Sequence, residues 1–478
     1  MKGLDNMTQQ FEALIIGLGP AGMAAAIELV RQGVHVAVVD ENPEPGGQIY
    51  RQPPGDFVIA DKSIFGVRYR VGQDIIRQFN QLRDKITIFS ETMAWGFFEG
   101  TTMALEHGGH MALVEFDKLI LCEGAMERSI PFPGWTLPGI MTAGGLQKMV
   151  KYQRLLPGKR FLLSGASPLQ LSVAASLVKD GAEVVALCEA TGLKESLKLV
   201  PEIIRQKGLF KEAFSYLFPV LKKPVPILRP YSVVSASGDN RIRQATIARL
   251  DEDWAPIAGT EKTFDVDIIS LGYGFLPVAR LARLCGCAHA YDPVLKSWKP
   301  ETDIFMQTSV ANIYTAGDSS GVDGADLAEV EGRIAGTHAA AELGKMSMDE
   351  RDRRLNMLFH TRERIKRYSK VLNRVFSPRS GLFTIMEDDT IVCRCERVTA
   401  KEVFAGIEKG FRNINEIKRT RVCMGPCQGR TCESIVTELM LRKGIPIEDI
   451  GHMTIRPPIT PMPVFMFEEY ASNSNFGH

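Results

Sequence analysis

FEALIIGLGPAGMAAAIELVRQGVHVAVVDENPEPGGQ, residues 11–48, is the stretch that decides the fold of this chain. The apolar run Ala13 to Ile16 suits a parallel strand buried on both faces. Gly17, Gly19 and Gly22 follow at GxGxxG spacing, and small or apolar residues then recur at helical spacing as far as a stop at Gly33. A second buried strand, Val36 to Val39, ends in Asp40 and Glu41. Each piece has a job in a dinucleotide-binding βαβ unit. Gly17 permits the tight turn, Gly19 lets backbone N–H groups approach a pyrophosphate, and Gly22 lets the helix pack closely on the strand. Pro20 and Ala21 open the helix, whose orphan donors and positive dipole end face the phosphates. Asp40 is placed to accept from an adenosine ribose hydroxyl. A lone GxGxxG is weak evidence, because glycine turns are common; the complete strand–turn–helix–strand–acid unit is strong.

Gly46, Gly47 and Gln48 follow closely, where flavoproteins of the glutathione-reductase type carry a second glycine pair. That resemblance moves the expected ligand from NAD to FAD. Far downstream, NIYTAGD (312–318) reads as a buried strand ending in Gly317 and Asp318, followed by a glycine-rich turn and a helix beginning near Asp326. Asp318 is expected to accept from ribityl hydroxyls. An FAD domain with both ends so far apart must hold an insertion.

Between them, Val71 to Leu82 has helical spacing and Ile86 to Phe98 alternates like one strand. Lys118 to Cys122 is a short strand leading into Glu123, Gly124 and Ala125, a loose match to the Ala-Thr-Gly turn beneath FAD in two-dinucleotide flavoproteins. PFPGWTLPGIMTAGG (131–145) reads as a crossing between domains. A second nucleotide-like unit then follows: a strand from Arg160, the turn Gly165-Ala166-Ser167-Pro168-Leu169-Gln170, a helix to Lys179, and a strand ending at Cys188 and Glu189. Its glycines are degraded. Ser167 would crowd a pyrophosphate and Gln170 would push the helix off the strand, so NAD(P) or another nucleotide here stays an open question. Residues 193–224 predict one or two amphipathic helices, with a solvated charged face favoured over a partner surface.

Nine cysteines include five between Cys393 and Cys432. Their clustering, odd number and setting, without a signal peptide, argue against a disulfide framework and for a metal site in a reducing compartment, the cytoplasm. Cys393-x-Cys395 ends a short strand; Thr399 with Glu402 forms a capping box; RVCMGPCQGRTC supplies Cys423, Cys427 and Cys432 ahead of a helix from Glu433 to Arg442. Converging thiolates on a glycine-rich loop suit an iron–sulfur cluster, with Arg394, Arg397, Arg421 and Arg430 adding positive charge. Four-cysteine zinc is the rival, and C-x-C is unusual for it. Five thiols compete for four places, with Cys423 or Cys432 as the spare.

The bulk numbers agree with an ordinary globular chain of about three domains: 478 residues, 45% hydrophobic, 24% charged, net charge +1. Nothing in the net charge points to a nucleic-acid or membrane partner, and no segment reaches the roughly 18 apolar residues of a membrane span. The FAD domain is expected in two segments, 11–150 and 281–345, with the inserted domain at 151–280 between them. A linker helix at 346–386, the cysteine domain at 387–455 and a tail at 456–478 follow. Met1 to Gln10 reads as a polar extension.

With these residues assembled, the chain resembles the FAD-containing subunits of heteromeric amino-acid and opine dehydrogenases: the A subunit of opine oxidase, the B subunit of hydrogen cyanide synthase and the alpha subunit of dye-linked proline dehydrogenase. The motifs that carry the resemblance are GLGPAGMAAAIE with PGGQIYR, PFPGWTLPGI, TAGD with EGRIAG, and CRCE with MGPCQGRTC. It implies an α/β two-dinucleotide-binding, glutathione-reductase-like flavoprotein with a small α+β [2Fe-2S] domain of the bacterioferritin-associated-ferredoxin type. It implies Cys393, Cys395, Cys427 and Cys432 as cluster ligands; the family often has glycine where Cys423 stands. It also implies a partner flavin subunit similar to D-amino-acid oxidase, and a quinone or other electron acceptor. An extra FMN at a subunit junction stays open. The alternative is a self-sufficient NAD(P)H-dependent reductase.

Overall fold

A computed structural model describes residues 9–59, 62–205, 207–223 and 225–468. The first eight residues of the polar extension and the last ten of the tail lie outside the described residues, as do two residues of the loop after Ile49. The N-terminal unit runs through strand β1 (Gln9–Ile16), helix α1 (Pro20–Arg31) and strand β2 (Val36–Val39). In β1, Ala13, Leu14 and Ile15 are fully buried, as are all four residues of β2, which is what a parallel sheet covered on both faces requires.

Its sheet has seven strands. β3 (Ile86–Phe89), β2, β1 and β6 (His110–Leu121) lie in parallel order, β19 (Ile313–Thr315) joins β6, and β4 (Met93–Phe98) and β5 (Thr102–His107) continue antiparallel from it. The alternation from Ile86 to Phe98 therefore belongs to two strands. A turn at Glu91, with φ 51°, separates them without disturbing the period. Helix α2 (Val67–Asn80) starts four residues ahead of its expected position, and Lys118 to Leu121 proves to be the end of the long strand β6, with Cys122 just past it.

Helix α9 (Ala325–Glu342) packs along α1. A Cβ on Gly332 would lie 2.1 Å from the Ala21 carbonyl oxygen and one on Gly336 2.7 Å from that of Ala25. The glycines of the EGRIAG motif therefore set the distance between the two helices. Strand β7 (Ala125–Glu127) leaves the first sheet and pairs with β16 (Phe275–Pro277).

Strand β8 (Ile140–Thr142), next to helix α3 (Ala143–Gln147), is already an edge of the second sheet, ahead of the expected division at 150. That sheet runs β11 (Ile227–Leu228), β10 (Glu183–Glu189), β9 (Arg160–Gly165), β15 (Ile268–Gly272) and β8, all parallel, with helix α4 (Pro168–Lys179) crossing from β9 to β10. Residues 193–223 hold three helices: α5 (Leu193–Leu197), α6 (Val200–Arg205) and α7 (Lys207–Lys222). A three-stranded antiparallel sheet, β12 (Tyr231–Ser237), β13 (Gln244–Arg249) and β14 (Lys262–Asp265), completes this region. Short helix α8 (Arg280–Leu284) and hairpin β17 (His289–Asp292) with β18 (Ser297–Pro300) lead back to β19.

Helix α10 (Met348–Phe376), capped by Ser347, carries the chain to the cysteine region. There β20 (Ile391–Cys393) pairs with β21 (Val398–Thr399), followed by α11 (Ala400–Glu408), α12 (Ile414–Ile417), α13 (Glu433–Arg442) and α14 (Ile447–Ile450). Its core is its own, built on Val392, Val403, Ile417, Val436 and Leu439. The capping box at Thr399 and Glu402 forms as the sequence predicts. The region docks through buried charge. Arg283 of α8 donates to Glu433 at 2.7 and 2.9 Å, and Lys296 meets Glu438 at 2.6 Å.

Candidate cofactor-binding site

The glycine turn after β1 is fixed by contact. A Cβ on Gly17, where φ is +99°, would lie 2.2 Å from the Cys122 carbonyl oxygen, and one on Gly22 would lie 1.8 Å from the Gly17 carbonyl oxygen. The second glycine pair closes against the first: Gly46 N donates to the Leu18 carbonyl at 2.9 Å, and a Cβ on Gly47 would come within 2.9 Å of Gly19 Cα. Residue 47 cannot carry a side chain without separating the two turns, whereas a Cβ on Gly19 would sit in ordinary contact, 3.9 Å from Gly47 Cα.

Helix α1 has Gly19 as N-cap with no side chain capping it, and α9 has Gly324 in the same condition. Both helix starts line one cleft of about 930 Å³, within the range of small-molecule and cofactor sites. Two uncapped helix N-termini facing one space leave backbone donors and positive dipole ends for an anion. The residues present fit FAD.

Asp40 is 9% exposed, and its carboxylate is largely engaged within the protein. Oδ2 accepts from Leu18 N at 2.5 Å, and Oδ1 accepts from Asn42 N at 2.7 Å and Asn42 Nδ2 at 2.8 Å. Asp40 thus ties the end of β2 to the glycine turn, while exposed Glu41 beside it also lines the cleft. Asp318 lines the cleft from the other side, accepting from Gly324 N at 3.0 Å and Asp323 N at 3.2 Å. Burial raises its carboxyl above the usual range, against the pull of those two amides. Gly17, Gly19, Pro20, Ala21, Gly47, Gln48 and Gly124 all face the same cleft; Gly22 and Gly317 lie behind it as packing positions.

Sequence reasoning missed two residues here. Glu331 is 2% exposed; it accepts from Gly317 N and Ser320 Oγ and pairs with Arg362 at 3.2 Å. A carboxylate on the apolar face of α9 was the available signal. Arg128, 2% exposed, lines the cleft with Nε and Nη1 unpartnered, and burial lowers it to about 10. Nothing in its sequence context marks it.

The second unit treats the equivalent positions differently. Ser167 is the N-cap of α4, and its hydroxyl accepts from Leu169 N at 3.2 Å. Gln170 does not push the helix away. Its side chain is buried, and its Nε2 donates to the carbonyls of Ser164 at 2.9 Å and Ser270 at 3.1 Å, stitching the helix start to β9 and β15. Glu189, at the end of β10, is 6% exposed and accepts from Thr191 N, and burial pushes its carboxyl up to about 7.

The five clustered cysteines come together. Cys423 Sγ lies 3.4 Å from Cys432 Sγ, Cys393 hydrogen-bonds Cys432, and Cys395 hydrogen-bonds Cys427. Cys423 has φ +65°, the left-handed region where glycine is the ordinary occupant. Among the described residues no group of three or more His, Cys, Asp or Glu side chains is arranged to hold a single metal ion. The thiols instead meet in contacts of two and three, with Cys432 touching both Cys393 and Cys423. Cys285 and Cys287 are buried in the core after α8. The cysteine region reaches the cleft directly: Arg394, Arg430 and Thr431 all line it.

Residues 11–344 match the pyridine nucleotide-disulphide oxidoreductase family, and residues 387–468 match the sarcosine oxidase A3 domain. The chain is 34% identical to the A subunit of opine oxidase from Rhizobium meliloti, covering 95% of this chain and 97% of that one. It is 32% identical to hydrogen cyanide synthase subunit HcnB of Pseudomonas aeruginosa, covering 96% and 99%. Its fold is that of L-proline dehydrogenase from P. horikoshii, with a TM-score of 0.66 at 18% identity over 97% of this chain and 80% of that one. With its glycine cradle, paired helix N-termini and full-length relatives, this chain belongs to the pyridine nucleotide-disulphide oxidoreductase family and is an oxidoreductase.

Proposed function

We propose that the chain is the FAD- and [2Fe-2S]-carrying electron-transfer subunit of a hetero-oligomeric amino-acid, imino-acid or opine dehydrogenase. Its electrons come from a partner flavin subunit similar to D-amino-acid oxidase and leave to a quinone or other acceptor. The observation that carries this reading is convergence. Both cysteine segments send residues, Arg394 from one and Arg430 and Thr431 from the other, into the cleft lined by the N-terminal glycine motif. FAD exchanges two electrons at once and a [2Fe-2S] cluster one at a time, so the two together convert paired delivery into single steps.

The chain's own residues do the rest. Gly17, Gly19 and Gly47 let backbone donors approach the pyrophosphate, and Asp318 faces the ribityl side. Arg394 and Arg430 place positive charge between the two centres. Cys393, Cys395, Cys427 and Cys432 are the assigned ligands; Cys423, strained at φ +65°, is the spare. Ser167 and Gln170 keep the second nucleotide unit from serving a nicotinamide donor. The relatives named as subunits of opine oxidase and hydrogen cyanide synthase support assembly with a partner.

Iron and acid-labile sulfide content, with the visible spectrum, test the assignment. Cys423→Ser is expected to keep two irons and two sulfides per chain, as expected of one such cluster, and Cys427→Ser to lose them. Stoichiometric zinc without sulfide in the unaltered protein would replace the cluster with a structural metal.

A further inference from the structure

We infer that the outer face of α7 is a docking surface for anionic phospholipid headgroups. Phe214, Phe218 and Leu221 of α7 are 57%, 55% and 65% exposed. The three α7 residues follow i, i+4, i+7 spacing and so share one helix face, and the Phe214 and Phe218 rings stack at 5.8 Å. The opposite face is already used. Val220 is 1% exposed and, with Tyr216, packs into the core of the second nucleotide unit. Core packing thus explains one apolar face of α7 and leaves the other in water, where a contiguous apolar surface marks an interaction site.

Charge identifies the occupant. Residues 207–223 carry four Lys against one Glu, in a chain whose net charge is only +1. Lys222 and Lys223 stand on exposed positions at the C-terminal end of the apolar face. Protein interfaces deplete lysine and favour arginine. Lysines bordering exposed Phe and Leu are what a helix lying in a headgroup layer needs: the rings enter the acyl boundary while the ammonium groups reach lipid phosphates. No described helix is long and apolar enough to cross a membrane, so the contact is peripheral. None of these residues lines the cofactor cleft, which docking leaves open. The inference stands apart from the assignment of the cysteine site.

Co-sedimentation of the purified full chain with vesicles tests it, using phosphatidylcholine alone and equal parts phosphatidylcholine and phosphatidylglycerol. Binding is expected to the mixed vesicles only, and to weaken with salt. Lys222→Glu with Lys223→Glu is expected to lower the partition by about tenfold or more. Phe218→Ser with Leu221→Ser is expected to abolish binding, while an unchanged flavin spectrum and thermal midpoint show that both variants fold. Absence of binding to mixed vesicles overturns the inference, as does equal binding to neutral vesicles or undiminished binding by either variant. It is overturned too by a serine variant that keeps vesicle binding but loses a co-expressed partner protein, which assigns the face to that protein.

Discussion

The two βαβ units of this molecule share a topology and differ in what satisfies the first turn of the helix. At α1 the N-cap is Gly19, no side chain reaches the orphan amides, and a second glycine pair comes within van der Waals contact of the turn. At α4 the N-cap is Ser167, whose hydroxyl takes the Leu169 amide, and Gln170 spans the gap between helix and sheet with two hydrogen bonds. The acids at the strand ends follow the same division. Asp40 and Glu41 line the cleft, whereas Glu189 is folded into the interior. The first unit leaves its helix start without a side-chain cap; the second meets one helix amide with Ser167 and ties the helix start to the sheet through Gln170. The residues that stand in for the glycines thus bring internal contacts that the first unit lacks.

Substitutions that act on one unit alone sharpen this contrast. The largest effect is expected for Gly22→Ala, whose Cβ meets the Gly17 carbonyl oxygen at 1.8 Å. A backbone clash of this kind costs above about 3 kcal/mol, and the purified protein should lack flavin absorbance. Retention of stoichiometric flavin would break the comparison.

Glu189→Gln acts on the second unit and depends on pH. Burial raises the folded-state pKa to about 7 from an ordinary carboxyl value of 4.5, so the unaltered chain loses stability as pH rises from about 4.5 to about 7. The glutamine variant is expected to gain up to about 3 kcal/mol at pH 8, shrinking below about 1 kcal/mol at pH 5. Denaturant unfolding at the two pH values reads this directly, and a gain independent of pH would contradict it. Smaller still, Gln170→Ala should cost about 2 kcal/mol by stranding the Ser164 and Ser270 carbonyls, without altering the flavin spectrum. A changed flavin spectrum would mean that the second unit shapes the cofactor site.

Much of this was legible in the sequence because it is local. The N-terminal unit, the Thr399–Glu402 capping box and the helix from Glu433 to Arg442 all follow from short-range spacing and cap chemistry. The cysteines announce themselves by clustering. What the sequence hides is non-local. Gln170 reads as an obstacle until its partner Ser270, a hundred residues away, is in view. Strand β8 belongs to the second sheet only because β15 pairs with it. Arg128 and Glu331 are placed by packing that no local pattern records. The apolar face of α7 also reads as amphipathic from sequence, since periodicity cannot say which of two apolar faces is covered.

In the proposed function the second unit does not serve a nicotinamide, and electrons reach this chain from a partner. Anaerobic titration of the purified chain with NADH and NADPH, followed by flavin absorbance, tests it most directly. No bleaching by either nucleotide and full reduction by dithionite are expected. Stoichiometric bleaching by NADH or NADPH would contradict it and make the protein a self-sufficient reductase.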